Sequence, residues 1–387
     1  MNRVFICAER RFPKIDASSN RIQYNAKALM SCGYEVIVIG VGENQEDDYD
    51  ANQERYCYDG VVYDNVGFIS NSRTSYAKET RNRLKKYKIS SSDMAIIYTS
   101  NAIYGKVVAD YLKSKNVKKI IFDVVEWFQP FQYKFGKLDP RLWLYNYCFR
   151  YVYSSGKYVI AISKKIENYF KAIGCKTLLL PIITDVEDYS FCPEFKRDND
   201  VIQLIYPGNP DKKDDIALML KALDSLDDKY KKKLHFHMTG MSEQKLRRIL
   251  GKDEYLIDKL KGTFTRHDWM TAEDLQALYN QMNFLFMARP TNDSTLSNFP
   301  SKVPELLACG ICPITNKVGD FIEYLEDDVN SILYDGCTLN SCIDVLKKVS
   351  MLDSSQLETF AQEGRKLAKE KFQYQRWVSY IGEFMKE

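Results

Sequence analysis

Several features that mark particular classes of protein are absent from the sequence. Among its 387 residues, no apolar run approaches the roughly 20 residues that span a bilayer. The formal net charge is only +3, which argues against a dedicated nucleic-acid-binding protein, because such proteins have a strong basic excess. The first nine residues enter a strand-like run directly and contain no signal-peptide core, so we expect a cytoplasmic protein.

Cofactor and metal signatures are also missing. The first strand-to-helix turn has no G-x-G-x-x-G pattern, which disfavours NAD chemistry. The ten cysteines are scattered, and we expect them to be reduced core residues. Cys309 and Cys312 have C-x-x-C spacing, but no second pair lies nearby, so a redox or metal role is disfavoured. His235 and His237 alternate along a predicted strand with too few other ligands for a metal, so we expect a structural role.

Short apolar runs recur along the chain, with helix-like segments between them. The runs do not alternate with a period of two, which indicates strands buried on both faces, and their alternation with helices predicts parallel sheets. Two series of runs therefore predict an α/β protein with two Rossmann-like, doubly wound domains and an interdomain cleft. The runs are 4–8, 35–41, 94–99, 119–125, 158–163 and 178–183 in the first series, and 201–206, 234–239, 284–288, 311–315 and 331–334 in the second.

Changes in composition set the predicted domain boundaries. The polar, charged segment 184–200 is the predicted linker between an N-terminal domain, 1–183, and a C-terminal domain, 201–369. The final segment, 370–387, has apolar side chains at helical spacing and is predicted to be a helix that returns to the N-terminal domain.

Two features of the first half have two interpretations each. Residues 133–153 mix cations with aromatic side chains, which suits either peripheral contact with a membrane interface or a plain packed helix. Asp123 and Glu126 lie at the end of a predicted strand, where ligands of open parallel sheets collect. They predict a hydroxyl-binding site, and the alternative is a capping Asp and a solvated Glu.

Candidate anion-binding groups follow three strands of the second half. Gly208 permits a tight turn, and Lys213 lies just before a predicted helix, where phosphate is favoured. Thr239 and Gly240 follow the next strand. Arg289 follows a third strand, and its guanidinium fork matches phosphate oxygens.

A short predicted helix between Pro300 and Gly310 adds three more candidates. Ser301 and Lys302 at its start predict an anion site beside free N–H groups. Glu305, one turn deeper, can accept hydrogen bonds from two ribose hydroxyls. The alternative is an amphipathic helix whose polar start is only a cap.

The order of these candidate groups along the chain, from Gly208 to Glu305, resembles the second half of a GT-B glycosyltransferase, similar to glycosyltransferase family 4. The resemblance implies retaining transfer of a sugar from a UDP- or GDP-sugar to a glycan or lipid-linked acceptor in surface polysaccharide biosynthesis. It implies no metal or other cofactor, no nucleic acid, and a location in the cytoplasm, at the inner face of the cytoplasmic membrane. The C-terminal domain would bind the nucleotide sugar and the N-terminal domain the acceptor.

The resemblance also assigns roles to single residues. The implied donor-binding residues are Gly208 and Asn209 (phosphate loop), Lys213 (diphosphate), Thr239, Gly240 and Arg289, Ser301 and Lys302 (phosphate) and Glu305 (ribose). The implied acceptor-side loop contains Ala17, Ser18 and Arg21, and the implied catalytic residues are Lys213, Glu126 and Asp123.

The sequence departs from the family pattern at two positions. Asn209 occupies a position where many members have Arg, and Ser297 occupies the position of the first Glu of their E-x7-E motif. Two alternatives to a transferase therefore stay open. One is a non-catalytic GT-B-like subunit that binds a nucleotide or a partner, and the other is a nucleotide-sugar epimerase.

Overall fold

The computed structural model describes residues 2–13, 16–50, 55–68, 74–190, 192, 201–210 and 213–387. The chain forms two compact units. Unit 1 comprises Met1–Thr184, Ser297–Phe299 and Gln373–Glu387, and unit 2 comprises Asp185–Leu296 and Pro300–Phe372. Most of the predicted linker, 191 and 193–200, lies outside the described residues.

Unit 1 contains a nine-stranded sheet. Its strands are Arg3–Arg11 (β1), Glu35–Val41 (β2), Tyr49–Asp50 (β3), Arg55–Tyr58 (β4), Val61–Tyr63 (β5), Met94–Tyr98 (β6), Lys119–Val124 (β7), Lys157–Ala161 (β8) and Lys176–Leu179 (β9). They lie in the order β3-β4-β5-β2-β1-β6-β7-β8-β9. Every pairing is parallel except those of β4 with β3 and β5.

Unit 2 contains a six-stranded sheet in which every pairing is parallel. Its strands are Ile202–Tyr206 (β10), Leu234–Met238 (β11), Phe264–Arg266 (β12), Phe284–Met287 (β13), Cys312–Asn316 (β14) and Ile332–Tyr334 (β15). They lie in the order β12-β11-β10-β13-β14-β15. The first strand thus lies in the sheet centre, as in doubly wound folds, so ligands are expected at the carboxyl ends of the strands.

Helices connect the parallel strands. They are Ala17–Ser31 (α1), Ser75–Lys86 (α2), Ala102–Ser114 (α3), Pro140–Tyr147 (α4), Lys164–Ala172 (α5), Ile216–Asp224 (α6), Asp228–Lys231 (α7), Glu243–Leu250 (α8), Tyr255–Lys259 (α9), Ala272–Tyr279 (α10), Asp293–Leu296 (α11), Lys302–Ala308 (α12), Leu339–Val349 (α13), Ser354–Leu367 (α14) and Val378–Lys386 (α15). No helix in the described part of the chain is long and apolar enough to cross a membrane.

The predicted α/β class with two Rossmann-like domains and parallel sheets is confirmed. Each of the eleven apolar runs overlaps a strand, although the run 178–183 shares only two residues with β9. The central strands are buried along their length, as in β13, β14 and residues 4–8 of β1. Burial on both faces explains why these strands are continuously apolar. Four strands were not among the predicted runs: β3, β4, β5 and β12.

Only part of the C-terminal segment 370–387 forms a regular α-helix. A π-helical turn, Ala368–Phe372, and a 3-10 turn, Tyr374–Trp377, precede α15. Between the two turns, the backbone N–H of Tyr374 donates to the carbonyl of Thr184 at 2.9 Å, a bond that a continuous helix would use internally. Residues 373–387 belong to unit 1, where Ile381 and Phe384 are buried in the core.

Candidate functional site

Two glycine-containing loops pack tightly at the carboxyl ends of β10 and β11. The backbone N–H of Gly208 donates to the carbonyl of Thr239 at 3.1 Å, and that of Thr239 donates to the carbonyl of Tyr206 at 3.2 Å. Gly240 has a φ of 81°, and a Cβ there would lie 2.8 Å from the Cα of Gly208. The structure therefore brings three predicted donor-site residues together and leaves no room for a side chain between the loops.

A buried ionic cluster, formed by Asp214, Arg289 and Lys302, lies in the same unit. Nη1 of Arg289 is 3.4 Å from Oδ1 of Asp214, and Nζ of Lys302 is 3.9 Å from Oδ2. The Tyr206 hydroxyl donates to Oδ2 as well, and Nζ of Lys302 lies 3.5 Å from the centre of the Tyr206 ring. The side chains are only 5%, 2% and 16% exposed, so this Asp214 cluster holds two cations against one carboxylate with little screening.

Arg289 is fixed by its own backbone. Its N–H donates to Oδ1 of Asn316 at 2.8 Å, and Nδ2 of Asn316 donates to its carbonyl at 2.8 Å. Because Asn316 ends β14 and Arg289 follows β13, the amide side chain joins the ends of neighbouring strands. The backbone of Arg289 is thus held in place before any ligand arrives, which reduces the cost of reorganisation.

The pKa of Lys302 is lowered to about 8, chiefly by burial and in addition by the positive charges of Arg289 and Lys213. The charge of Asp214 opposes these effects. The effect of Lys213 shows that it lies close enough to act on the cluster, although it precedes α6 rather than α12. An added dianion would favour the charged form of the lysine, so the arrangement suits a diphosphate.

The start of α12 agrees with a ligand-binding role rather than simple capping. Ser301 is the N-cap residue, but its side chain makes no capping hydrogen bond to the helix. Glu305 lies in the first turn and is half-buried, and Gly310, with a φ of 71°, follows the helix as predicted. The hydroxyl of Ser301 therefore remains suited to a ligand.

Asp214 was not among the predicted site residues; it is one of two adjacent carboxylates, Asp214 and Asp215, before α6. The structure separates the two: Asp215 caps α6 by accepting from the N–H of Leu218 at 2.9 Å, and Asp214 binds the cations. The signal was the adjacent pair itself, because one helix start needs only one capping carboxylate. The sequence did not indicate the role of Asn316, because its partner, Arg289, lies 27 residues away in the chain.

In unit 1, Asp123 is engaged in a buried ion pair. Arg21 donates to both carboxylate oxygens at 2.8 Å and to the carbonyl of Pro181 at 3.0 Å, and Asn25 donates to Oδ2 at 3.3 Å. Burial works against the charge of Arg21, but Asp123 outweighs it, so the guanidinium pKa is raised. The pair has a structural function, joining α1 to β7; the catalytic role of Asp123 stays a prediction.

The predicted acceptor-side loop is part of a helix, which corrects the sequence interpretation. Ala17 and Ser18 lie in the first turn of α1, because Asp16 caps it by accepting from the N–H groups of Ser18 and Ser19 at 2.8 and 3.0 Å. Arg21 is 2% exposed and points into unit 1. Small polar residues had suggested a loop, but a capped first turn has the same composition.

Two cavities lie at the carboxyl ends of the unit 1 strands. A cavity of about 20 Å³ is lined by Asp123 and Glu126, so the structure brings these predicted catalytic residues together. A larger cavity of about 450 Å³ lies beside it, and both are lined by Arg10. The side chain of Glu126 accepts from Nε2 of Gln132 at 3.4 Å.

The comparisons with known proteins locate the family resemblance in unit 2. Residues 202–348 match the family model for glycosyl transferases group 1. This group 1 domain contains the Gly208 and Gly240 loops, the Asp214 cluster and α12. No curated protein sequence matches the chain.

Similar solved structures extend over the whole chain. A glycosyltransferase from Rickettsia africae is 14% identical, with a TM-score of 0.69, over 100% of this chain and 99% of that chain. A sucrose-phosphate synthase from Thermosynechococcus elongatus is 13% identical, with a TM-score of 0.70, over 100% and 98%. HepE from Anabaena, in complex with UDP and glucose, is 13% identical, with a TM-score of 0.66, over 100% of both chains. At these identities, the similarity shows that the chain shares the fold of these proteins.

The two departures from the family pattern have different surroundings. Asn209, at the edge of the group 1 domain's first loop, is exposed. Ser297 is fully buried, and its carbonyl accepts from the hydroxyl of Ser163 at 3.1 Å. Ser297 therefore belongs to the buried interior of unit 1.

The three histidines of the group 1 domain form a row, in which His237 is hydrogen-bonded to His267 and the ring centres of His235 and His237 lie 4.6 Å apart. Nδ1 of His237 lies 2.8 Å from Nε2 of His267, and Nε2 of His235 lies 2.8 Å from Oγ1 of Thr265. Among the described residues, no group of three or more His, Cys, Asp or Glu side chains could hold a metal ion. The row agrees with the structural role expected for His235 and His237.

Proposed function

We propose that the protein is a retaining, metal-independent glycosyltransferase that uses a UDP- or GDP-sugar and a glycan or lipid-linked acceptor in surface polysaccharide biosynthesis. The Asp214 cluster is the observation that supports this proposal. It places two buried cations, with Lys213 nearby, at the strand ends of a group 1 domain. The printed description of HepE, which names UDP and glucose, supports a nucleotide-sugar donor.

The cluster supplies the chemistry that sugar transfer requires. Breaking the bond between sugar and phosphate leaves a nucleoside diphosphate, whose growing charge must be neutralised. Arg289 and Lys302 provide that charge without a metal, and both are already desolvated, so their interaction with an anion is strong. Glu305, one turn into α12, is proposed to accept the ribose hydroxyls.

Donor binding is the first test. Thermal shifts and calorimetry with UDP, GDP and their sugars should show stabilisation of the wild type by one nucleotide series. Lys302→Met should weaken that binding about 10- to 100-fold, because a hydrogen bond to a charged group contributes about 1.5–3 kcal/mol. Lys317→Met, which removes an exposed lysine paired with Asp335, is the matched control and should bind like the wild type. A wild type that responds to no nucleotide would contradict the proposal.

A non-catalytic nucleotide-binding subunit is the second candidate, and the burial of Ser297 favours it. A transferase turns over a nucleotide sugar, whereas a non-catalytic subunit only binds it. If the purified protein hydrolyses or transfers the bound sugar, and Glu305→Ala abolishes this, the subunit hypothesis fails. Chelation of divalent cations should leave the rate unchanged, and an isomerised nucleotide sugar formed without any acceptor would indicate an epimerase.

Peripheral contact with the cytoplasmic membrane face belongs to the same proposal. Four large side chains between residues 133 and 153 are strongly exposed: Phe135 at 62%, Leu138 at 75%, Trp143 at 57% and Tyr151 at 64%. Lys134, Lys137 and Arg150 accompany them, which suits an anionic lipid surface. Vesicles rich in phosphatidylglycerol should therefore co-sediment the protein better than neutral vesicles, and Trp143→Ser should weaken this; equal binding to both would contradict it.

A further inference from the structure

The 450 Å³ cavity of unit 1 has one cationic wall and one aromatic wall. It lies at the carboxyl ends of β1 and β6, where a parallel sheet presents its ligands. The polar wall includes Arg10, Ser100 and Asn101, and the opposite wall includes Phe128, Tyr133 and Tyr145.

Arg10 has no carboxylate partner among the described residues. Its Nη1 donates to the backbone carbonyl of Glu9 at 2.8 Å, and its Nη2 donates to Oγ of Ser100 at 3.2 Å. The guanidinium also lies 5.5 Å from the centre of the Tyr98 ring. These contacts orient the guanidinium without neutralising it, and they leave N–H groups for a ligand.

The other two charged groups that line the cavity are Glu9, which is hydrogen-bonded to neutral groups and keeps its charge, and Arg141, which forms an ion pair with Asp139. The carboxylate of Glu9 accepts from the hydroxyl of Thr99 and the amide of Asn101, both at 2.9 Å. Arg141 forms an ion pair with Asp139: its Nε donates to Oδ1 at 2.9 Å, and its Nη2 donates to Oδ2 at 2.6 Å. Arg10 is therefore the cation on which a bound anion would depend.

The start of α3 is not the anion contact. The side chain of Asn101 caps this helix by accepting from the N–H of Ile103 at 3.0 Å and from that of Tyr104 at 3.4 Å. The cap takes up the backbone donors that would otherwise face a ligand. The donors left to the cavity are the guanidinium of Arg10 and the hydroxyl of Ser100.

We propose that this cavity binds the acceptor through a phosphate group held by Arg10. This inference rests on the proposed transferase function and adds the chemical class of the acceptor. A guanidinium fork matches two phosphate oxygens, and the rings of Phe128 and Tyr145, with centres 4.6 Å apart, offer an apolar surface for the rest of the ligand. Both a sugar phosphate and the head of a prenyl phosphate combine these properties.

The test compares probes that differ only by the phosphate. Binding of glucose 6-phosphate against glucose, and of geranyl phosphate against geraniol, is measured by calorimetry on the full chain. We expect at least one phosphate probe to bind more tightly than its neutral counterpart, and the pair that shows this distinguishes a sugar source from a lipid source. Arg10→Gln should weaken the preferred phosphate probe about 10- to 100-fold, and Arg10→Lys should restore part of the affinity.

Arg11→Gln is the matched control. It makes the same charge change at the next residue, whose guanidinium is exposed, lies near Phe68 and does not line the cavity. Equal affinity of each phosphate probe and its neutral counterpart, no binding of any probe, or equal losses in both variants would overturn the proposal. UDP binding, measured in parallel, should be unchanged in Arg10→Gln. If UDP and its sugars fail to bind while the phosphate probe binds, the donor proposal fails separately.

Discussion

The lowered pKa of Lys302 links donor binding to pH. Burial brings this pKa from 10.5 to about 8, so the ammonium group loses its proton as the pH rises through 8. A bound diphosphate favours the charged form, so UDP affinity should be highest below pH 8 and should fall between pH 8 and 10. Calorimetry across this range, in buffers of different ionisation enthalpy, should detect proton uptake on binding above pH 8.

Lys302→Arg isolates the cause of this dependence. Arginine stays charged throughout the range, so the variant should bind UDP with an affinity that is nearly flat with pH. A wild-type affinity that stays constant from pH 7 to 10 would show that the lysine does not contact the diphosphate.

Asp214 holds like charges together, so its loss should destabilise the protein. Asp214→Asn leaves Arg289 and Lys302 without their buried counter-ion, and removal of one member of a buried ionic group costs about 3 kcal/mol or more. Urea denaturation should show a lower midpoint, and the pKa of Lys302 should fall further because the opposing charge is gone. Asp335→Asn, at an exposed pair with Lys317, is the control and should have little effect.

The Arg21–Asp123 pair allows a structural role to be separated from a catalytic one. If the role is structural, Asp123→Asn and Arg21→Met should each lower the free energy of unfolding by about 3–5 kcal/mol. The double variant should lose less than the sum, because it leaves neither charge unpaired. Denaturation of the three variants measures this coupling. Full stability of Asp123→Asn, with loss of sugar transfer alone, would instead support the predicted catalytic role.

At the level of elements, the contact between the β10 and β11 loops is sensitive to one added methyl group. Gly240→Ala places a Cβ 2.8 Å from the Cα of Gly208, against backbone that cannot yield, at a φ of 81°. We expect lower stability and weaker UDP binding, because the phosphate loop must move. Gly251→Ala is the control: its φ is 56°, but nothing lies within 4 Å, so it should show only the backbone cost of about 1–2 kcal/mol. Equal effects of both variants on UDP binding would contradict this view.

The elements that the sequence predicts well are those with one dominant cause. The central strands of both sheets are buried on both faces, so their apolar runs appear directly in the sequence. By contrast, β3 and β4 are short, half-exposed and rich in tyrosine, and their antiparallel pairing depends on neighbours rather than on their own pattern. The early start of α1 was missed because the cap at Asp16 competes with a loop of the same composition.

The residues of the candidate sites also divide into those with a local cause in the sequence and those that depend on neighbours in the fold. Gly208, Lys302 and Glu305 could be predicted because local chemistry and order along the chain identify them. Asp214 and Arg10 could not, because their importance comes from what surrounds them: two cations around one carboxylate, and a guanidinium with no carboxylate nearby. Such compensation of charge is a property of the folded chain, not of a motif.

For the whole molecule, the distribution of histidine predicts that acid weakens the two units unequally. All three histidines of the chain lie in unit 2, and burial lowers the pKa of each, that of His237 to about 3. In the unfolded chain these groups gain protons around pH 6.5, whereas in the folded chain each gains its proton only at a lower pH, which for His237 is about 3. The unfolded state therefore binds more protons, and the free energy of unfolding of unit 2 falls as the pH drops from 6.5 toward 3.

Hydrogen exchange at pH 7, 6 and 5, corrected for the intrinsic exchange rate, can follow both units in one sample. Peptides from β11 and β12 should lose protection first, while those from β1 and β7 should keep it, because unit 1 has no group of this kind to titrate in that range. His237→Gln removes the histidine whose pKa is lowered to about 3. In this variant, the protection of unit 2 should depend less on pH. An equal loss of protection in β1 and β11 would mean that carboxylates distributed over both units, rather than the histidine row, determine the acid stability.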